Sequence, residues 1–433
     1  MRSQLPRLKA SLIVGKLVTL LISFLLILVL GEWLFPKFLD KLPLRLYGSI
    51  DKNLRILAQS SKKSTFPHEY IAIVGDSIAV GAGDWLEEVR KNSFFGSPDY
   101  SPAHLIYEKT GIDAVSFGQG GVGSFGGIWK EPITQFLYIN SVKNYQLSPP
   151  KYLLIFFSES GDIYDNVGFL RGKLLSIQKG SMKKKTELNE VLTHLNHEFK
   201  KVLDGDYDKS LWKNMLFIRS IFKGVLNLVE EFASLNKNHP FLFSFPKTPI
   251  NLALINGKQT PLPMHLQGPS LFATNFNERL IVDDSIAKEF YITEEEYKLG
   301  LYVFEQALAA LIEFFPQTEI KVVFNPSPLS SYQIVSPKVS FRGYMQKESL
   351  VDTAIIKKRH AKLCEAIRGI SLVRKVSFLN TTKSLRKAAS QEFMHGPADW
   401  DHFNKAGYEA LSTYIAETFL KSGAGVRTDN CVY

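Results

Sequence analysis

Residues 70–83 read Tyr-Ile-Ala-Ile-Val-Gly-Asp-Ser-Ile-Ala-Val-Gly-Ala-Gly, and the rest of the chain is organised around them. Ile71 to Val74 is a short apolar run, the pattern of a buried strand. The chain then turns through Gly75-Asp76-Ser77 and continues into small residues. A buried strand that ends this way puts a serine hydroxyl at the carboxyl end of a sheet, where open α/β sheets place their chemistry. Serine is a weak nucleophile until a base takes its proton. The stretch therefore predicts that a base lies elsewhere in the chain.

Near the other end the sequence is Asp399-Trp400-Asp401-His402-Phe403-Asn404, followed by Lys405-Ala406-Gly407-Tyr408. Asp399 stands three residues before His402, close enough for its carboxylate to orient the imidazole. The Gly-Asp-Ser turn and the Asp-x-x-His pair together resemble the SGNH, or GDSL-type, hydrolase family. The run His402 to Tyr408 fits that family's usual stretch after the histidine. The resemblance covers roughly residues 70–420, interrupted by an insertion. It implies a flavodoxin-like three-layer α/β fold with a parallel sheet. It also implies that Ser77 is the nucleophile, His402 its base and Asp399 the carboxylate that fixes the imidazole. Family spacing assigns that last role to Asp399 rather than Asp401, and Asp76 is read as a structural hydrogen-bonding residue.

Acyl transfer passes through a tetrahedral intermediate whose oxygen needs preorganised donors. The resemblance implies three: the backbone N–H of Ser77, a glycine N–H in the second motif and an asparagine side chain in the third. The second falls in Ser116 to Gly123, where Gly121 is the first choice and Gly120 the next. The third motif departs from the family pattern Gly-x-Asn-Asp. The chain has Ser158-Glu159-Ser160-Gly161-Asp162-Ile163-Tyr164-Asp165-Asn166, so Gly161 stands where the asparagine belongs. Losing one such donor costs about 10²–10³ in rate. Either the Gly161 N–H substitutes, or Asn166 reaches back, or the site is weak or inactive.

Upstream, Leu17 to Leu30 is apolar and uncharged; extended from Ser11 to Phe35 it exceeds the about 20 residues that span a bilayer. No small-x-small cleavage site follows Leu30. Residues 1–39 are therefore read as a cytoplasmic tail and signal anchor, 40–69 as a polar juxtamembrane linker, and 70–433 as the hydrolase-like domain. The basic residues before the span favour a cytoplasmic N-terminus, although Lys37, Lys41 and Arg45 weaken the asymmetry. The second domain would then face the outside.

Within that domain, strands are expected at Asp113 to Phe117, Lys151 to Phe157, Ile320 to Phe324 and Leu372 to Phe378, besides Ile71 to Val74. Helices are expected up to Lys109, with Ser101 as N-cap and Pro102 first, and over Trp129 to Gln146, Glu294 to Phe315, Lys358 to Ile367 and Lys405 to Ser422. Gly118 to Gly127 reads as a glycine-rich loop. Alternating strands and helices argue for a parallel sheet covered on both faces. The rhythm stops in an insertion over 168–292. There Lys183-Lys184-Lys185 reads as a solvated loop and Phe241 to Gly268 as irregular β or loop. Leu211 to Ala233 reads as an amphipathic helix whose apolar line (Leu211, Met215, Ile218, Phe222, Val225, Val229, Phe232) packs on the main domain, with Lys213, Arg219 and Lys223 on its other face. A lid or membrane-surface helix is the other reading.

The chain carries 52 basic and 42 acidic side chains, a net of +10, yet no zinc-ligand spacing, helix-turn-helix or RNA-stacking motif. No nucleic-acid partner is expected, and no metal or cofactor. Two cysteines, Cys364 and Cys431, make no disulfide framework but allow one bridge. The resemblance implies a serine esterase acting on small acyl esters of envelope glycans or on lipid esters. The alternatives are an acyltransferase on the same fold, a lipase-like enzyme with a lid, and a non-catalytic glycan-binding scaffold.

Overall fold

The computed structural model describes residues 5–42, 44–84, 100–143, 145–177, 188–205, 214–233, 250–264, 266–270, 272–273, 292–342, 348–421 and 426–431. Five strands form one parallel sheet: β1 (Ile71–Gly75), β2 (Ala114–Ser116), β3 (Tyr152–Ser158), β4 (Glu319–Asn325) and β5 (Ser377–Asn380). Their order across the sheet is β2-β1-β3-β4-β5, with every pair parallel. The chain changes direction across the sheet between β1 and β3, and a doubly wound sheet opens its crevice there, beyond the carboxyl ends of the strands. Side chains alternate between two cores. Ala72, Val74, Leu153, Ile155 and Phe157 pack on one face; Ile71, Ile73, Leu154 and Phe156 pack on the other. Burial on both faces is why these strands read as unbroken apolar runs.

The main helices, in order, are α1 (Leu5–Leu34), α2 (Ser77–Val80), α3 (Pro102–Thr110), α4 (Glu131–Ser141), α5 (Asp162–Ile177) and α6 (Leu188–Leu203). They continue with α7 (Leu216–Ala233), α8 (Glu294–Phe314), α9 (Thr353–Val373), α10 (Thr382–Ala389) and α11 (Lys405–Lys421). The expected cap of α3 is present, with Ser101 Oγ accepting the His104 N–H.

Several boundaries differ from the sequence expectation. The helix expected from Trp129 begins at Phe125 with a wide π turn and ends at Ser141. Burial of Phe125, Ile128 and Trp129 overrides the poor helix propensity of Gly126-Gly127. The last strand is Ser377–Asn380; Leu372 and Val373 instead finish α9, exposed. The proposed start of the insertion, Gly168, lies inside α5, where Ile163, Val167 and Leu170 hold the helix against the core. Lys183-Lys184-Lys185, Leu211, Lys213 and residues 241–249 lie outside the described residues. Farther on, Leu252–Ile255 and Lys258–Pro261 form a hairpin whose turn, Asn256-Gly257, has both φ angles positive.

The N-terminal segment holds the largest surprise. Helix α1 is long and apolar enough to cross a membrane, with a window of mean hydropathy 2.5 and none of that window buried. The stretch after it, read as a polar linker, is packed against the domain. Leu39, Ile50, Leu54, Ile56 and Leu57 are all buried in the core shared with β1 and β3. Ser61 Oγ donates to the Ala114 carbonyl at 2.5 Å, tying the segment to the edge strand β2. Its apolar residues follow neither a helical nor a strand period, because they are spread over short 3-10 turns, a single α turn and the bends between them, so periodicity cannot reveal their burial. At the other end a disulfide joins Cys364 on α9 to Cys431, closing a loop of sequence separation 67.

Candidate active site

Strand β1 delivers Ser77. Gly75 ends the strand with φ +141°, and a Cβ there would lie 2.5 Å from the Phe156 carbonyl oxygen on β3, so both backbone conformation and close approach require glycine. Asp76 then caps the single turn α2, its carboxylate accepting the Ile78 N–H at 2.9 Å. This fixes Ser77, half-buried, at the crevice.

A loop before α11 delivers His402. Asn404 zips this loop shut: its N–H bonds the Met394 carbonyl, and its amide donates to the carbonyls of Phe393 and Gly396. Two further contacts tie the loop to the nucleophile turn. Tyr408 on α11 donates its hydroxyl to the Ala82 carbonyl at 2.6 Å, and the Asp399 N–H donates to Asp84 at 2.6 Å. The sequence reading assigned Asp84 no part in the site, and placed Tyr408 in the motif without assigning it this contact. Their signal is faint, one residue past the glycine-rich turn and the last residue of the motif after the histidine.

The result is a continuous relay. Ser77 Oγ donates to His402 Nε2 at 2.9 Å, and His402 Nδ1 donates to Asp399 Oδ2 at 2.7 Å, across a chain separation of 325 residues. The other Asp399 oxygen accepts the backbone N–H groups of Asp401 and His402. Asp399 is thus the orienting carboxylate, and Asp401 contributes its N–H to holding it. Burial disfavours the charged imidazolium, but the hydrogen bond and charge of Asp399, with Asp76 and Asp401 behind it, outweigh burial and raise the His402 pKa. Burial alone would raise Asp399; its bonds to His402 and the two N–H groups bring it below the usual carboxylate range.

The second motif passes close to Ser77 through Gly120. A hypothetical Cβ on Gly120 would lie 3.7 Å from Ser77 Cβ. Gly121 follows with φ +71° and open space beside it. Among the described residues, the N–H groups of Ser77, Gly120, Gly121 and Gly161 make no intramolecular hydrogen bond.

Asn166 does not join them. Its Oδ1 accepts the Ser124 N–H, and its Nδ2 donates to Ser124 Oγ at 2.9 Å and to the Gly300 carbonyl at 3.0 Å. The fully buried amide staples the glycine-rich loop to α5 and α8, so its hydrogens are spent.

Acidic side chains occupy the ground beneath the third motif. Asp162 Oδ2 accepts the Ser158 N–H at 2.8 Å. Burial, with Asp76 nearby, pushes the Asp162 carboxyl well up. Burial and the same neighbour push Asp165 up to about 7. Glu159 is fully buried, paired with the equally buried His360 at 2.8 Å and accepting the Ser327 N–H. The Asn325-Pro326-Ser327-Pro328 turn therefore braces the third motif and is itself buried. A cavity of about 370 Å³ adjoins the site, walled by Gly121, Val122, Phe125, Asp165, Phe169 and, from the insertion, Glu198.

Gly161 is not required by the backbone. Its φ is not positive, and a Cβ there would meet nothing nearer than 3.9 Å, the carboxylate oxygens of Asp76 and Asp165. Gly161→Asn should therefore fold with an unchanged melting temperature. Its amide can add the missing donor and raise kcat/KM on an ester by about 10²-fold. Steady-state kinetics on a p-nitrophenyl ester read this directly; an unchanged rate would mean the backbone donors already saturate the oxyanion.

Compared with known proteins, the chain matches no family model, no curated protein and no solved structure.

Proposed function

We propose that this chain is a membrane-anchored serine esterase of the SGNH type. The observation that carries the reading is the Ser77–His402–Asp399 relay, with both bonds at hydrogen-bonding distance and the serine open to the crevice. Ser77 Oγ attacks the ester carbonyl while its proton passes to His402 Nε2. The oxyanion forms against the N–H groups of Ser77, Gly120, Gly121 and Gly161. Collapse expels the alcohol, which takes the proton back from His402. Water then attacks the acyl-enzyme, its proton again going to His402, and as the acid leaves, Ser77 Oγ takes that proton back. Asp399 holds the imidazole tautomer and stabilises its cation throughout. A sugar hydroxyl in place of water makes the same site an acyltransferase.

The anchor rests on α1. An extracytoplasmic position for the domain is supported by the basic N-terminus and by the Cys364–Cys431 bridge, since disulfides persist in oxidising compartments. Small acyl esters on envelope glycans are the substrate class this position favours, by analogy of fold.

The test is covalent. A fluorophosphonate probe should label the full-length protein in detergent at one residue, Ser77, identified by peptide mass spectrometry. Because the raised His402 pKa delays formation of the neutral base, the labelling rate should climb with pH through a midpoint above 6.5. No labelling of a folded sample across that range would remove the esterase reading and leave a glycan-binding scaffold.

A further inference from the structure

Helix α7 presents its faces in the order opposite to that of a soluble amphipathic helix. Such a helix turns its apolar stripe to the core and its charges to water. Here the charged side is inside. Arg219 pairs with Asp51 and bonds the Tyr138 hydroxyl, Lys223 Nζ donates to the Ile50 carbonyl at 3.0 Å, and Ser220 is buried. The apolar side is outside: Ile221 is 46% exposed, Phe222 59%, Val225 54% and Leu226 47%. The sequence reading placed Phe222 and Val225 against the domain; the structure turns that line outward. The polar anchors at Asp51, Tyr138 and Ile50 outcompete apolar packing, since even a half-buried cation must find such partners.

The same helix is locked to the end of α1. Glu32 accepts the first-turn N–H groups of Phe217 and Ile218 at 2.9 and 2.8 Å, a carboxylate at a helix N-terminus. The Phe35 and Phe217 rings lie 5.5 Å apart, and a Cβ on Gly31 would overlap the Phe217 ring, so only glycine permits this approach. From there α7 leaves α1, and by Lys223 and Gly224 it lies on Ser49 and Ile50. It runs away from the span along the domain rather than back along it. Exposed apolar side chains occur along α1, at Trp33 and Phe38, and on the outer face of α7, whose first turn meets α1 at Gly31 and Glu32.

We infer that the outer face of α7 lies in the interface of the bilayer that α1 spans, so that the domain is held to the membrane at two places. This rests on the anchor reading and not on the esterase reading. A span alone leaves the domain free to roll; a second, interfacial helix fixes which side faces the lipid. The crevice then stands at a set height and orientation above the membrane.

The experiment uses the full chain in lipid nanodiscs with single nitroxide labels. With Cys364 and Cys431 joined, a new cysteine is the sole free thiol. Labels go on Phe222→Cys and Val225→Cys, on Leu25→Cys in the span, and on Val373→Cys, 75% exposed at the end of α9. Collision with oxygen is compared with collision with a water-soluble nickel chelate. The expected oxygen-to-nickel ratio at 222 and 225 is severalfold above that at 373 and approaches that at 25. A ratio at 222 and 225 equal to that at 373, with 25 in lipid, overturns the inference and leaves the anchor standing. A low ratio at 25 as well overturns both. Dipolar broadening between labels at 222 would put a second copy on this face, and likewise overturns the bilayer assignment.

Discussion

Asp399→Asn should lower kcat by about 10⁴-fold while leaving the fold intact, the size of effect that a wrong imidazole tautomer produces in serine triads. The structure says why the tautomer would be wrong. One Asp399 oxygen accepts two backbone N–H groups, from Asp401 and His402. An asparagine must keep its carbonyl oxygen there, so its NH₂ turns to His402 Nδ1. A donor facing Nδ1 forces the ring proton onto Nε2, which then offers Ser77 a donor where the mechanism needs an acceptor. Ser77→Ala and His402→Ala should lose more, about 10⁶-fold in kcat before background hydrolysis sets the floor, and the double variant should be no worse than either single one. Turnover of p-nitrophenyl acetate by the full-length variants checks all of these. A His402→Ala protein as active as the parent would end the relay assignment. The pH profile adds an independent reading. Asp399→Asn removes the largest influence that raises the His402 pKa, so any residual activity should rise at lower pH than in the parent.

Much of this was legible in the sequence, for reasons tied to particular residues. A strand buried on both faces leaves an unbroken apolar run, so β1, β3 and β4 announce themselves. Ser77, His402 and Asp399 stand out by residue type and local spacing, and the fold joins the serine to the histidine across 325 residues. The rest depended on information that a linear pattern does not carry. The turns after α1 bury Leu39, Ile50 and Leu54 at irregular spacing. Helix α7 has a clear apolar stripe, but a stripe has no sign: nothing in its period says whether core or lipid lies beyond it. Asn166 looked like a spare amide until its two partners, Ser124 and Gly300, were seen to come from separate elements.

The Glu159–His360 pair is the strongest case of such hidden information, with partners 201 residues apart and both fully buried. His360→Ala should destabilise the protein by about 3–5 kcal/mol at neutral pH, because it strands a buried carboxylate without its hydrogen-bonded imidazole partner. Two features of the site make the upper part of that range reasonable. Glu159 is fully buried, and its remaining partners, the Ser327 N–H and the Ser330 hydroxyl, are neutral. The sign of the pH dependence separates this account from simple loss of packing. In the parent, burial would raise the Glu159 pKa, but His360 and the Ser327 N–H hold it below its ordinary value. Glu159 therefore contributes stability above its unfolded pKa, and this is lost as pH falls through the lower folded one. In His360→Ala burial is unopposed by the imidazole and the folded pKa rises. The carboxyl then prefers to be protonated, and the penalty is greatest above that raised pKa and fades on acidification. The difference in melting temperature between parent and variant should thus shrink as the pH is lowered toward the ordinary carboxylate range, measured by thermal unfolding in detergent. A cavity left by the lost imidazole would cost the same at every pH. Replacing both residues, as Glu159→Leu with His360→Leu, removes the charge along with its partner and should recover most of the stability. Activity need not return with it: Glu159 stands two residues before Gly161, and its bonds to His360 and Ser327 are what hold the third motif against the crevice.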